Sequence, residues 1–315
     1  MVSASDRLGS IRSPRRLTGL LAGLGAGALW GLVFIAPQMV PGYSTVDLAA
    51  GRFVAYGALA GVLMLLKQRG GRLPTGRQAM AATGMSVLGF TGYYLLLVLA
   101  IRDMGMQVPT LIIGTIPIWI MLLGKPEALR WRALAPGLAL TLLGVLLMMA
   151  YTQGLPVSES VPEGGNYLRG LALATASMVC WTAFALLNSS WLTRHPEVNA
   201  TDWANWLGVA TGLGAVAMWL VAGSDVSFLM AQDDRALFAW LCVATGFGSA
   251  WLATVLWNLA SQRLSASLCG QLIVSETIFA LLYSFAWEGV WPTLGQSAAV
   301  VLFTLGILAS IKAHT

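Results

Sequence analysis

Charge is what this chain has least of: Asp, Glu, Lys and Arg together make up 10% of its 315 residues, against 57% hydrophobic residues. That balance leaves too little polar surface to cover a soluble globule and places the chain in a membrane. Histidine is also scarce, with only His195 and His314, neither placed for a Ser-His pair or a zinc site. There is no Gly-x-Ser-x-Gly or His-Glu-x-x-His motif, and the apolar stretches lack the two Asp residues of an intramembrane aspartyl protease. An enzyme is therefore excluded as a reading, and no catalytic residue, metal or cofactor is expected. The three cysteines, Cys180, Cys242 and Cys269, all fall in apolar stretches and offer no disulfide framework.

What is present is a series of ten apolar stretches, at Leu17 to Val40, Ser44 to Leu66, Ala79 to Ile101, Met106 to Gly124, Ala133 to Tyr151, Tyr167 to Leu192, Ala200 to Val221, Ala236 to Gln262, Ser265 to Ala286 and Thr293 to Ile311. A hydrocarbon layer of ~30 Å takes about 20 helical residues to cross. Only helices or a closed barrel satisfy backbone polar groups in lipid. Barrel strands alternate in polarity, and runs such as Leu138 to Met149 do not. The fold expected is an all-α integral membrane protein of ten transmembrane helices.

Basic residues test that count, because Lys and Arg accumulate in cytoplasmic loops. With the N-terminus inside, the cytoplasmic segments carry Arg7, Arg12, Arg15 and Arg16, then Lys67, Arg69, Arg72 and Arg77, then Lys125, Arg130 and Arg132, and finally Arg194, Arg263 and Lys312. The other side has Arg102, Arg169 and Arg235. Both termini are expected in the cytoplasm of a multi-pass cell (inner) membrane protein. The net charge of +5 then reports topology and calls for no nucleic-acid partner. Arg15-Arg16 reads as a charge anchor ahead of the first span.

Residues 152–166, with Gly154, Pro156, Pro162, Gly164 and Gly165, form a polar linker between a first half (1–151) and a second half (167–315). Five crossings precede the linker, so the halves enter the membrane from opposite sides. Trp30 and Phe34 correspond to Trp181 and Phe184, Asp47 to Asp202, Gly89-Phe90 to Gly246-Phe247, and Leu143-Gly144 to Leu305-Gly306. Their common order and slowly drifting offset predict a 5+5 inverted-topology repeat, an architecture that gives a chain two near-equivalent packings, each open to one side.

At this point the residues resemble a known family. The segments Ala28-Leu29-Trp30-Gly31 and Asp47-Leu48-Ala49-Ala50-Gly51-Arg52-Phe53 resemble those of the drug/metabolite transporter superfamily of the EamA type, and within it the chain is most similar to the YddG-type aromatic amino-acid exporters. The family's Glu-Pro element in the fourth and ninth spans is split here between Ile116-Pro117 and Glu276-Thr277. The resemblance implies a transporter exporting small organic solutes, amino acids among them, from the cytoplasm. A multidrug or nucleotide-type carrier is the alternative within the superfamily. A channel is the alternative outside it, disfavoured because Glu276 alone is charged near the midplane.

Several residues could line a central cavity. Glycines 19, 23, 27 and 31 recur every fourth residue and allow close helix approach, and at 100° per residue Trp30, Phe34 and Gln38 share their side. On the sixth span Trp181, Phe184 and Asn188 share a face, and on the eighth Trp251 and Asn258 do. Aromatic faces beside amides suit an amphipathic solute. Tyr94 is favoured over Tyr93 as pore-lining. Pro109 and Pro117 predict a kink in the fourth span. A carboxyl at Glu276 must be paired, hydrated or protonated in this setting, which marks it as a coupling or substrate-ammonium group. Arg52, one turn from Asp47, is expected to pair with it. Trp131, Trp191, Trp203, Trp240, Trp287 and Trp291 fall near span ends and are expected in an interfacial belt.

Overall fold

The computed structural model describes residues 14–67, 73–105, 107–152, 165–289 and 291–314. The basic residues Arg7, Arg12, Arg69 and Arg72, and the linker positions 153–164, lie outside the described residues. Ten apolar helical elements follow one another: α1 (Pro14–Met39), α2 (Thr45–Lys67), α3 (Gly76–Met104), α4 (Gln107–Gly114 with Ile116–Leu123), α5 (Trp131–Thr152), α6 (Tyr167–Arg194), α7 (Ala200–Ala222), α8 (Arg235–Ser261), α9 (Ala266–Glu288) and α10 (Leu294–Ala313). Among the described residues nine of them are long and apolar enough to cross a membrane, and α4 is shorter. Each falls within a few residues of its expected stretch. A short helix, Val226–Ala231, lies in the α7–α8 loop and has too few residues to be seen as an apolar run.

Local chemistry sets the ends. Thr75 and Thr293 make capping boxes with Gln78 and Gln296, and Asn166, Asn199 and Ser265 cap α6, α7 and α9, each satisfying an N–H that the helix leaves open. Gly105, at φ 80°, turns the chain sharply between α3 and α4. In α4 the helix breaks at Thr115. Pro117 sits at the start of the second segment and has no N–H to give to Ile113. Thr115 Oγ1 instead donates to the Ile112 carbonyl at 2.6 Å. Pro109 lies in the first turn of α4, where proline is tolerated, so the kink belongs to Pro117.

The repeat is built into the packing. α2 runs against α7 and α5 against α10. Gly57 faces Gly212 while Ala60 faces Gly208, and Gly137 faces Ser310 while Gly144 faces Phe303. Numbers that rise on one helix fall on the other, so both pairs of equivalent helices are antiparallel, as an inverted repeat requires. The remaining helices form two matched groups: α1 lies between α8 and α9, and α6 between α3 and α4. The correspondence reaches fine detail. A π-helical turn occurs at Val87–Thr91 in α3 and again at Gly246–Leu252 in α8, at the Gly-Phe pairs matched by sequence. Each glycine admits a neighbour: the Phe184 ring rests on Gly89, and the α2 backbone at Arg52 rests on Gly246.

Arg16 at the start of α1 donates to the Ile311 carbonyl near the end of α10 at 3.3 Å, so both described ends of the chain share one face of the bundle, here called the terminal face. The two groups meet on that face. Ser267 of α9 donates through Oγ to the Met121 carbonyl (3.1 Å) and through its N–H to that of Gly124 (3.2 Å). On the same face Gln262, just past the end of α8, donates to the Val198 carbonyl in the α6–α7 loop at 2.9 Å. Towards the other face they diverge: α9 packs along Ile116–Leu123, the segment of α4 nearer the terminal face, rather than along Gln107–Gly114. A pseudo-two-fold axis in the membrane would make those two contacts equivalent. The structure has one and not the other.

Candidate functional site

The glycine stripe of α1 determines where the first aromatic side chain stands. Cβ atoms built at positions 23, 27 and 31 would meet Leu272, Ser275 with the Glu276 backbone, and Ala280, so α1 lies directly on α9. Trp30 is thereby held over the gap between the two groups. Its ring centroid is 6.3 Å from that of Trp181 on α6 and 5.4 Å from that of Trp257 on α8, and Trp181 and Trp257 are 6.3 Å apart. The three indoles form a triangle that joins the groups. Trp257 is 1% exposed and its buried N–H has no hydrogen-bond partner among the described residues, while Trp30 and Trp181 are half-buried. Sequence reasoning missed Trp257, because six residues on from Trp251 is 240° around an α-helix and shares no face with it. The π-helical turn of α8 ends just before it and sets its direction.

Other expected cavity residues are placed differently. Phe184 is buried between Phe90 (5.5 Å) and Trp181 (6.0 Å), beneath the triangle's edge. Asn188 and Asn258 are both 0% exposed. Asn188 donates to Asn258 at 3.1 Å and accepts from the Trp203 indole at 2.6 Å, and Asn258 also donates to the Ala200 carbonyl at 3.4 Å. These amides hold each other and leave nothing for a guest in this state. Trp251 donates to Asn205 at 2.8 Å and stacks on Phe247, apart from the triangle. Phe34 and Gln38 are exposed. The tight 3-10 turn at Leu32–Phe34 and the new short helix from Ala36 end the 100° progression that had aligned them with Trp30.

The polar residues also depart from expectation. Asp47 does not pair with Arg52: its two oxygens accept from Ser44 Oγ (2.6 Å) and from the Ser224 N–H and Oγ (2.9 and 2.7 Å). Arg52 lies 4.7 Å over the Phe53 ring. Its buried Nε has no hydrogen-bond partner among the described residues. Glu276 is half-buried, its backbone seated on Gly27. Tyr94 donates to the Thr45 carbonyl at 3.2 Å and sits edge-on to Phe53. Tyr93 packs with Trp30 and Trp181 against the buried cluster that contains Ala26, Ile116 and Trp257.

Beyond the amide pair, a cavity of about 580 Å³ opens on the terminal face between the ends of α1, α6 and α8, lined by Arg15, Thr18, Thr193, Asn199, Gln262 and Arg263 among others. These are the helices that carry the triangle. Along α6 the order is Trp181, Asn188, then the cavity. The belt expectation fits Trp131, Trp240, Trp287 and Trp291, which are exposed. It fails for Trp203, 0% exposed and stacked on Trp191 at 3.7 Å.

Comparison with known proteins agrees with this architecture. The model of the EamA-like transporter family matches residues 17–153. The chain is 30% identical over 311 residues to the inner membrane protein YtfF of Escherichia coli (strain K12), spanning 94% of this chain and 96% of that protein. A crystal structure of another protein superposes with a TM-score of 0.73 at 20% identity, covering 94% of this chain and 97% of the other, a likeness of fold. With ten apolar helices in an inverted repeat and a relative matched almost end to end, the chain belongs to the EamA-like transporter family and is a membrane transporter.

Proposed function

We propose that this transporter exports amino acids, aromatic ones included, across the cytoplasmic (inner) membrane by alternating access, with both termini in the cytoplasm. The halves 1–151 and 167–315, joined by an extracytoplasmic linker, supply the two interlocking helix groups. The observation that carries the reading is the Trp30, Trp181 and Trp257 triangle, which spans the groups at the inner limit of the diverging region. Indole faces offer an aromatic side chain edge or offset stacking, and the unpartnered Trp257 N–H is a donor that a polar guest or a water can satisfy.

On this reading the structure is the state closed to the cytoplasm. The Asn188–Asn258 pair, the Ser267 bonds and the buried cluster of Ala22, Ala26, Ile120, Ala260 and Cys269 are the inner gate, and the 580 Å³ cavity is the vestibule beneath it. The Pro117 break lets the two segments of α4 move separately, which suits a helix that meets α9 at one end only. Carriers exchange and channels do not, so counterflow in proteoliposomes is the test. Labelled phenylalanine should accumulate transiently in vesicles preloaded with unlabelled phenylalanine. If none of the standard amino acids drives counterflow, the substrate assignment is wrong.

A further inference from the structure

Two opposite charges lie inside the bundle without closing on each other. Arg52 is on α2, which packs on α8, and Glu276 is on α9, which packs on α1, with α1 and α8 in contact between them. The nearest acid in sequence to Arg52 is Asp47, and its oxygens are taken by Ser44 and Ser224. Neither Arg52 nor Glu276 makes a hydrogen bond or ion pair among the described residues. The packing nevertheless links them: the Glu276 N–H lies against Gly27 on α1, Ser249 of α8 donates to the Leu29 carbonyl of α1 at 2.6 Å, and the Arg52 carbonyl lies against Gly246 on α8. Both backbones are held by close helix packing: a Cβ at Gly246 would stand 2.8 Å from the Arg52 carbonyl oxygen, and one at Gly27 would run into Ser275 and stand 3.1 Å from the Glu276 nitrogen. An unpaired charge in this setting costs several kcal/mol unless water or a ligand attends it. The chain therefore keeps an anion site and a cation site a fixed distance apart, with Trp30 one turn along α1 from Gly27.

We propose that Arg52 and Glu276 are the two ends of a zwitterion site, the guanidinium binding the carboxylate of an α-amino acid and the Glu276 carboxylate its ammonium, with the side chain against the Trp30 and Trp181 rings. The planar guanidinium matches a carboxylate in two parallel hydrogen bonds, and its other face is already supported by Phe53. Bound substrate neutralises both charges at once, and a molecule bearing one of the two groups leaves the other charge bare. This rests on the amino-acid reading above and sharpens it: the site selects the α-amino-acid head group as well as the aromatic side chain.

Phenylalanine counterflow in proteoliposomes, competed by phenethylamine, which lacks the carboxylate, and by 3-phenylpropionate, which lacks the ammonium, tests the site in the wild-type protein. Each should compete at least tenfold more weakly than phenylalanine. In Arg52→Gln the preference for phenylalanine over phenethylamine should collapse while that over 3-phenylpropionate persists, and Glu276→Gln should do the reverse, with Arg52→Lys keeping part of the selectivity. Equal competition by all three ligands in the wild type, within threefold, overturns the zwitterion site while leaving amino-acid transport intact. A uniform loss of affinity for every ligand in both Gln variants overturns the site as well. No counterflow with any amino acid overturns the transport assignment and the site with it. Should either variant fail to fold, the wild-type competition series still decides.

Discussion

Removing the Asn188 amide should open the inner gate. In the closed state Asn188 accepts the Trp203 N–H at 2.6 Å and donates to Asn258 at 3.1 Å. Side-chain hydrogen bonds between membrane helices average about 0.6 kcal/mol and reach about 1.7, so losing two removes roughly 1–3 kcal/mol from the closed state. If opening breaks both bonds, the open-to-closed ratio rises about 5- to 150-fold; if the Trp203 bond survives opening, the gain falls near the lower end. Cys269 reports the change, because it is 1% exposed and packs within the cluster that seals this face. With Cys180 and Cys242 replaced by alanine, maleimide labelling of Cys269 in Asn188→Ala should accelerate at least fivefold over the Asn188 parent, and Asn258→Ala should behave similarly. Labelling within twofold of the parent, in protein that stays monodisperse, would refute the claim that this pair holds the gate.

Other consequences can be tested in the same preparations. Trp30→Ala and Trp181→Ala should each weaken phenylalanine counterflow about 2- to 12-fold in apparent affinity, the worth of one aromatic contact at roughly 0.5–1.5 kcal/mol, while expression persists; unchanged kinetics in both would remove the triangle from the substrate path. A methyl at Gly57 would stand 2.6 Å from the Gly212 Cα, whereas one at Gly61 meets nothing within 4 Å. Gly57→Ala should therefore cost about 1–3 kcal/mol, seen as a lower melting temperature in detergent, and Gly61→Ala should melt like the wild type. Gln271 is 0% exposed, donates to Thr141 at 2.9 Å and accepts from Ser310 at 3.0 Å. Gln271→Leu leaves both hydroxyls without their amide and should lower the melting temperature, with Thr141→Val partly restoring it in the double variant; independent, additive effects would argue against a shared network.

Much of the architecture could be read from the chain alone. Ten stretches of apolar residues fix ten helices because lipid supplies no hydrogen-bond partners, so each backbone crossing must satisfy itself. The glycine stripe on α1, the Gly-Phe pairs that became matched π-helical turns, and Pro117 as a break point were all legible because each acts through its own backbone. The pairing of Trp30 with Trp181 came from the repeat itself. What the sequence could not supply was direction across gaps and the partners that long-range contacts choose. A 3-10 turn after Gly31 took Phe34 and Gln38 off the line projected from Trp30, and on α8 it is Trp257 that meets Trp30 and Trp181, while Trp251, expected to line the cavity, bonds to Asn205. Asn188 and Asn258 have the chemistry of a binding site, yet the packing of α6 against α8 lets them satisfy each other. Asp47 found Ser224, 177 positions away, in place of Arg52 one turn along. Helix periodicity is a property of neighbours in sequence, whereas the pairing of buried polar groups is settled only when every helix has found its place.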